Sequence, residues 1–218
     1  MALDAIIFDF DGVIVDTETL DYELWREFYA QHGLELDVAL WLSRVGGIEE
    51  AGFNPRLHFQ ELTGKVLDEA FRKTFFDTWW INCTKQPVLP GVLPLLRQAR
   101  QNKIKLGVAS NSSRQWVEGL MRPHSLLEYF DCVRTRDDVA NPKPAPDLYL
   151  SVAACLGVDV KHCVAIEDSP NGIMAAQSAG IRTVAVPNPL TTRLVLPETA
   201  LTLRSLADCT LHDLQSLI

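Results

Sequence analysis

The chain has 218 residues, of which 47% are hydrophobic and 22% charged, the balance typical of a soluble globular protein with a substantial core. Its formal net charge of -8 argues against a nucleic-acid partner and against an anionic membrane surface. No stretch approaches the roughly 20 apolar residues of a membrane span. We therefore expect a cytoplasmic protein with neither nucleic-acid nor membrane partners, and a monomer because no long exposed apolar stripe is evident.

The first predicted element is a short buried strand, Ile6 to Phe8, that runs directly into Asp9, Asp11 and Gly12. A carboxylate at the end of a buried strand loses hydration unless a cation or hydrogen bonds compensate for it. Glycine adopts backbone angles closed to other residues and lets a loop approach a ligand closely. The stretch therefore indicates either a solvated loop that happens to follow a strand or a site that holds a cation.

The next segment, from Glu18 to about Lys85, is predicted to be a helical block, because its apolar residues recur at helical spacing. Arg44 precedes a Val-Gly-Gly loop at 45–47 that is expected to face the active site. A cation there would suit a second polar or anionic end of a substrate. The aromatic residues expected to form the core of this block are Trp25, Phe28, Phe71, Phe75, Trp79 and Trp80.

A proline-rich connector, 86–91, leads into helices and strands that alternate along the rest of the chain. Short apolar strands that alternate with helices form parallel sheets covered on both faces. The sequence therefore predicts an α/β protein with a Rossmann-like parallel-sheet core, residues 1–16 and 89–218, and an inserted α-helical cap domain, residues 17–88. The predicted strands are 105–109, 163–166 and 183–186. A predicted helix carries Leu95, Leu96 and Ala99, and the other predicted helices are 115–121, 148–155 and 172–178.

Polar residues follow these strands at the edge where parallel sheets bind ligands. Ser110 and Asn111 follow the second predicted strand, Glu167 and Asp168 follow the third, and Lys143 stands between two prolines. Each has an ordinary explanation when taken alone, such as a helix cap, a surface lysine or acids at a helix N-terminus. Together with the acids of the first strand they predict one site that combines carboxylates, a hydroxyl group and an ammonium group.

The residue types of this site suit phosphoryl transfer to a carboxylate. Oxygen ligands without histidine or cysteine select Mg²⁺, so we predict a Mg²⁺ ion between Asp9 and Asp168 that screens the repulsion of an anionic phosphate. Asp9 could then attack phosphorus to give an aspartyl-phosphate. Asp11 points the same way, two residues on, and could move the proton of the leaving alkoxide and of the attacking water. Ser110 and Lys143 would hold the phosphoryl oxygens.

Four motifs, in this order along the chain, resemble those of the haloacid dehalogenase superfamily of aspartyl-nucleophile phosphohydrolases. The helical insertion resembles the α-helical cap of the branch that contains β-phosphoglucomutase, phosphoglycolate phosphatase and sugar-phosphate phosphatases. The resemblance covers nearly the whole chain. The motifs are DFDGVIVD at 9–16, ASNSS at 109–113, NPKPAPD at 141–147 and AIEDSPNG at 165–172.

This resemblance implies that Asp9 is the nucleophile and Asp11 the general acid and base. It also implies metal ligation by Asp9, the backbone carbonyl of Asp11 and Asp168, with Glu167 close by. The chain would leave the core for the cap at 16–17, and the cap would close over the substrate and exclude water. The implied phosphoryl-binding residues are Gly12, Ser110, Asn111 and Lys143.

The leading hypothesis is a Mg²⁺-dependent phosphatase that hydrolyses a small phosphorylated metabolite, and the favoured substrate is a sugar phosphate. The main alternative is a phosphomutase, although mutases of this branch commonly carry a histidine at the position of Asp21. A true haloacid dehalogenase usually lacks the second acid, so Asp11 speaks against that activity. A non-catalytic binding module would have no need of the complete set of acids together with Ser110 and Lys143.

The cysteines and histidines show no pattern of their own. The five cysteines, at 83, 132, 155, 163 and 209, form no Cys-x-x-Cys pair and no zinc spacing. We therefore expect reduced, buried thiols. None of the five histidines falls near a chemical motif.

Overall fold

The computed structural model describes residues 2–45 and 52–218. Its centre is a six-stranded sheet in the order β3-β2-β1-β4-β5-β6, and every neighbouring pair of strands is parallel. The first strand of the chain therefore lies in the middle, where both of its edges are paired. The strands are β1 Ala5–Phe8, β2 Lys105–Ser110, β3 Cys132–Thr135, β4 Cys163–Glu167, β5 Arg182–Ala185 and β6 Leu201–Thr202.

Helices cover both faces of the sheet. In β1, Ile6 and Phe8 contribute to one hydrophobic cluster whereas Ala5 and Ile7 contribute to the other, as the two-residue period of a strand requires. The two buried faces explain why the strands are almost continuously apolar, and they confirm the predicted fold class. The helices are α5 Val92–Gln101, α6 Arg114–Met121 and α9 Leu211–Gln215 against the first cluster, and α7 Asp147–Leu156 and α8 Pro170–Ser178 against the second.

The segment between β1 and α5 is helical in its described residues, as predicted. Side chains of Asp37, Asn54 and Asp68 each accept a hydrogen bond from the first turn of the helix that follows them, which fixes where three of these helices begin. The aromatic rings of Trp25, Phe28, Phe71 and Phe75 pack in a separate cluster around buried Trp41 and Phe59. The helices are α1 Glu18–Gln31, α2 Val38–Leu42, α3 Pro55–Thr63 and α4 Glu69–Lys85.

Two of the six aromatic residues assigned to the core of the insertion lie elsewhere. The rings of Trp79 and Trp80 lie against Trp116 of α6, with centroids 4.3 and 5.4 Å away, and join the cluster beneath the sheet. The physical reason is the length of α4, because 17 residues span about 25 Å and carry its second half past the aromatic cluster of the insertion to α6. The division into a core of 1–16 and 89–218 and a cap of 17–88 stays a prediction.

The expectation of five reduced thiols is wrong for two of them. Cys132, at the start of β3, and Cys155, near the end of α7, form a disulfide, with Cα atoms 6.3 Å apart. Helix α7 packs across β2 and β3, which brings together two cysteines that are 23 residues apart in the chain. Cys83 and Cys163 are buried free thiols and Cys209 is partly exposed. In the described part of the chain, no helix is long and apolar enough to cross a membrane.

Candidate active site

The parallel register brings the predicted acids and the serine to one edge of the sheet. Phe8 pairs with Ile166 of β4 and with Val108 of β2, so the residues that follow these positions lie side by side. The pairing continues one step further, because the backbone N–H of Asp9 donates to the carbonyl of Ile166 at 2.9 Å. Ser110 ends β2 and Glu167 ends β4 at the same edge.

Lys143 occupies the centre of this edge. Its buried ammonium donates to Asp9 Oδ1 at 2.7 Å and to Glu167 Oε1 at 2.6 Å. Asn111 clamps the backbone of this lysine, donating from Nδ2 to its carbonyl at 3.1 Å and accepting from its N–H at 2.8 Å. Asn111 therefore positions the ammonium through the main chain, a role that its place in the sequence did not reveal.

A carboxylate cluster with an excess of negative charge adjoins Lys143. Asp9, Glu167 and Asp168 each offer an oxygen within 4.8 Å of the others. Burial raises the pKa of Asp9 to about 7; the Lys143 ammonium opposes the rise, and the carboxylates of Glu167 and Asp11 add to it. Burial, followed by the charges of Asp9 and Glu167, raises the pKa of Asp168 well above its usual range. Buried oxygen ligands with more negative charge than one ammonium can offset fit a hard divalent cation such as Mg²⁺.

Asp11 lies beside this cluster but its carboxylate is held by a different set of donors. Thr17 Oγ1 and Trp116 Nε1 donate to Asp11 Oδ1 at 2.6 and 2.8 Å. Ser112 Oγ and Ser110 Oγ donate to Asp11 Oδ2 at 2.6 and 3.3 Å. The aspartate expected to move the proton is thus fixed by residues of β2, α6 and the start of the insertion.

The residues that cap α6 and α8 decide whether Ser110 and the acids before α8 are needed as helix caps. Ser113, and not Ser110, caps α6, because its Oγ accepts from the backbone N–H of Trp116. Ser169 caps α8 in the same way, accepting from Gly172. Neither Ser110 nor the carboxylate pair before α8 is therefore needed as a cap, which leaves both available to the site.

Other residues of the site were not predicted from the sequence. Tyr149 Oη donates to Glu167 Oε1 at 2.6 Å, and Asn188 Nδ2 donates to Asp168 Oδ2 at 2.6 Å. Asn188 comes shortly after β5, so the search for polar residues beyond strand ends could have found it. Tyr149 lies on α7, two residues beyond the motif that contains Lys143, but it follows no strand end and so was not singled out. Gly12 has a φ of 80°, and a Cβ there would collide with Asp168 and Asn188.

A cavity of about 520 Å³ opens above this edge, between the sheet and the insertion. Asp9, Asp11 and Lys143 line its floor. Arg44 lines it as predicted, with its guanidinium nitrogen 3.8 Å from Asp21 Oδ2 and its charge over the ring of Trp41, 4.6 Å from the centroid. The glycines of the predicted 45–47 loop lie outside the described residues.

The sequence profile of the haloacid dehalogenase-like hydrolases matches residues 3–180. The chain belongs to this family. It is 38% identical over 205 residues to the protein YhcW of Bacillus subtilis, with 94% of this chain and 92% of that protein covered. It is 30% identical over 229 residues to hexitol phosphatase B of Escherichia coli K12, with 96% of each covered.

A solved structure adds to these similarities. A variant of CbbY from Rhodobacter sphaeroides, determined in complex with xylulose-(1,5)bisphosphate, superposes with a TM-score of 0.75 at 27% identity, covering 95% of this chain and 96% of that one. This haloacid dehalogenase-like hydrolase therefore shares its fold with a protein that binds a sugar bisphosphate. The family match together with the phosphatase relative identifies it as a phosphatase, and the family expected from the motifs is confirmed.

Proposed function

We propose that this phosphatase is Mg²⁺-dependent and hydrolyses a small phosphorylated metabolite, a sugar phosphate, through an aspartyl-phosphate on Asp9. The observation that carries the proposal is the buried Lys143 ammonium between Asp9 and Glu167, at the floor of a cavity beside a carboxylate cluster. A lone hydrogen-bonded aspartate would need neither a buried lysine nor further acids around it.

The first half-reaction transfers the phosphoryl group to the enzyme. A carboxylate oxygen of Asp9 forms a bond to phosphorus while the bond from phosphorus to the ester oxygen breaks. The leaving alkoxide takes a proton from Asp11, which starts this step as the carboxylic acid. Lys143, Ser110 and the loop at Gly12 hold the oxygens of the transferring group, where the negative charge is spread.

The second half-reaction returns Asp9 to its starting state. Water attacks the phosphorus of the aspartyl-phosphate, and Asp11, now the carboxylate, accepts a proton from that water. The bond between phosphorus and Asp9 breaks and inorganic phosphate leaves. Asp11 therefore serves first as the acid and then as the base, so its position must be the same in both steps.

The metal would be held by the acids whose charge exceeds what Lys143 can balance. Asp9 and Asp168 would supply side-chain oxygens, Asp11 its backbone carbonyl, and Glu167 stands close by. Bound Mg²⁺ supplies Lewis-acid screening between the carboxylate nucleophile and the anionic phosphate. Glu167 also accepts from Lys143 and Tyr149, so it orients the ammonium whether or not it contacts the ion.

The test is phosphate release from a panel of sugar phosphates, with and without Mg²⁺. We expect release that requires Mg²⁺ and disappears in Asp9→Asn. The matched control is Asp4→Asn, at the other end of β1, where the exposed carboxylate pairs with His162. Activity that survives Asp9→Asn or chelation contradicts the mechanism, and isomerisation of a hexose 1-phosphate primed by a bisphosphorylated sugar would instead establish the mutase.

A further inference from the structure

The part of the cavity beyond the phosphoryl site is walled by carboxylates and indole rings. Glu18 and Asp21 of α1 and Asp77 of α4 contribute acids. Indoles line the same space, Trp79 and Trp80 from α4 and Trp116 from α6. The wall thus offers flat apolar faces next to hydrogen-bond acceptors.

Two of the three basic residues in the described lining of the cavity are paired with acids. Lys143 is engaged by Asp9 and Glu167 at the floor, and Arg44 lies 3.8 Å from Asp21. The remaining basic side chain of the described lining, Arg136, forms no ion pair with a described acid, but acids outnumber bases in that lining by six to three. No surplus of positive charge is therefore evident in the described wall for a second anionic group of a substrate.

The behaviour of Glu18 agrees with this charge distribution. Removal from water raises the pKa of Glu18 to about 8, and the negative charges of Asp11 and Asp21 add to the rise more than Arg44 opposes it. Negative potential of this kind repels a second phosphate or carboxylate and attracts hydroxyl donors or an ammonium group.

We propose, on the basis of the phosphatase function above, that the cavity selects monophosphates of neutral or amino-bearing sugars and polyols and discriminates against substrates with a second anionic group. Indole faces pack on the C–H faces of a sugar, and carboxylates accept hydrogen bonds from its hydroxyl groups. An ammonium group gains further from the carboxylates and from the indole faces. Of the two roles expected for Arg44, contact with a polar or with an anionic end of the substrate, the proposal favours the polar end, because Asp21 offsets the charge of Arg44.

The inference is tested with substrates that share a scaffold and differ in charge. Glucitol 6-phosphate and 6-phosphogluconate differ at one terminal carbon, alcohol against carboxylate. Glucose 6-phosphate is compared in the same way with glucosamine 6-phosphate and with glucose 1,6-bisphosphate. We expect kcat/KM to fall on the order of 10- to 100-fold when the anionic group is added, and to hold or rise when the amino group is added.

Asp21→Asn supplies the variant, because it leaves the charge of Arg44 without that carboxylate. We expect it to narrow the preference for glucitol 6-phosphate over 6-phosphogluconate by about tenfold. Glu27→Gln is the matched control, since it removes the same charge from an exposed position of α1 and should leave the preference unchanged. The inference is overturned if the enzyme turns over 6-phosphogluconate as well as glucitol 6-phosphate. It is also overturned if the preference between these two substrates is the same in Asp21→Asn as in the control variant.

Binding measured by calorimetry on Asp9→Asn ranks the same five compounds without turnover. This arm separates the inference from the proposed function. Absence of phosphate release from every compound would contradict the proposed function, while the affinity ranking would still decide the charge preference. Equal or tighter binding of the anionic compounds to Asp9→Asn overturns the inference on its own.

Discussion

Replacing Lys143 by methionine tests the central electrostatic feature of the site. The substitution keeps most of the buried volume but removes an ammonium that is 2.7 Å from Asp9 and 2.6 Å from Glu167. Two buried carboxylates then lose their cation, and breaking a buried ion pair in this way costs about 3–5 kcal/mol. We expect the free energy of unfolding in EDTA to fall by about that amount.

The same variant should also lose catalysis through the protonation of the nucleophile. Lys143 is the strongest influence that lowers the pKa of Asp9, which burial already raises to about 7. Without the ammonium the pKa of Asp9 rises further, so a larger fraction of the metal-free enzyme carries the neutral acid at pH 7. Loss of a charged donor to the phosphoryl oxygens adds a further decrease, so we expect kcat to fall about 10²- to 10³-fold.

The assays are urea denaturation in EDTA and in Mg²⁺, followed by steady-state phosphate release. Mg²⁺ should recover part of the lost stability, because it binds the folded state beside the unpaired acids. Lys161→Met is the control, since that lysine is exposed outside the site and should change neither quantity. A Lys143→Met enzyme as stable and as active as the control would contradict the electrostatic role assigned to Lys143.

Three further outcomes are expected. In EDTA, the stability of Glu18→Gln relative to the wild type should rise by on the order of 2 kcal/mol between pH 5 and pH 8. The reason is the folded-state pKa of Glu18, about 8, which makes the wild type lose stability as the pH rises. If urea denaturation shows the same pH dependence of stability for both proteins, this expectation is contradicted. Trp116→Phe removes a hydrogen-bond donor to Asp11 and should lower kcat/KM about tenfold for alkyl phosphates. The loss should be smaller for p-nitrophenyl phosphate, because its leaving group needs no acid. Equal losses for both substrates would indicate a purely structural role of Trp116. Gly12→Ala should weaken the Mg²⁺-dependent shift in melting temperature, because its Cβ displaces Asp168, and an unchanged shift would count against that placement.

The sequence was sufficient for the residues whose position follows from strand order. Asp9, Ser110 and Glu167 lie at the ends of apolar runs, and the ends of parallel strands meet at one edge of the sheet. Two strands were missed: β3, a four-residue strand that carries a charged arginine, and β6, which has only two residues. Neither contains a continuous apolar run like those that revealed the other strands.

Sequence could not predict contacts that depend on how helices lie across the fold. Helical periodicity predicts the apolar face of α4 but not the element against which that face packs. For this reason Trp79 was assigned to the core of the insertion, whereas its ring lies against Trp116. The disulfide between Cys132 and Cys155 depends on the path of α7 over the sheet in the same way. Tyr149, on that helix, reaches Glu167 for the same reason.

Asp9 is the residue proposed to carry the phosphoryl group during turnover. The most direct measurement is an acid quench of the enzyme during turnover of a sugar phosphate, followed by mass spectrometry of its peptides. We expect a Mg²⁺-dependent phosphate on the peptide that contains Asp9, which disappears when the substrate is exhausted and never forms in Asp9→Asn. Phosphate found on another residue, or Mg²⁺-dependent turnover by the Asp9→Asn enzyme, would contradict this expectation.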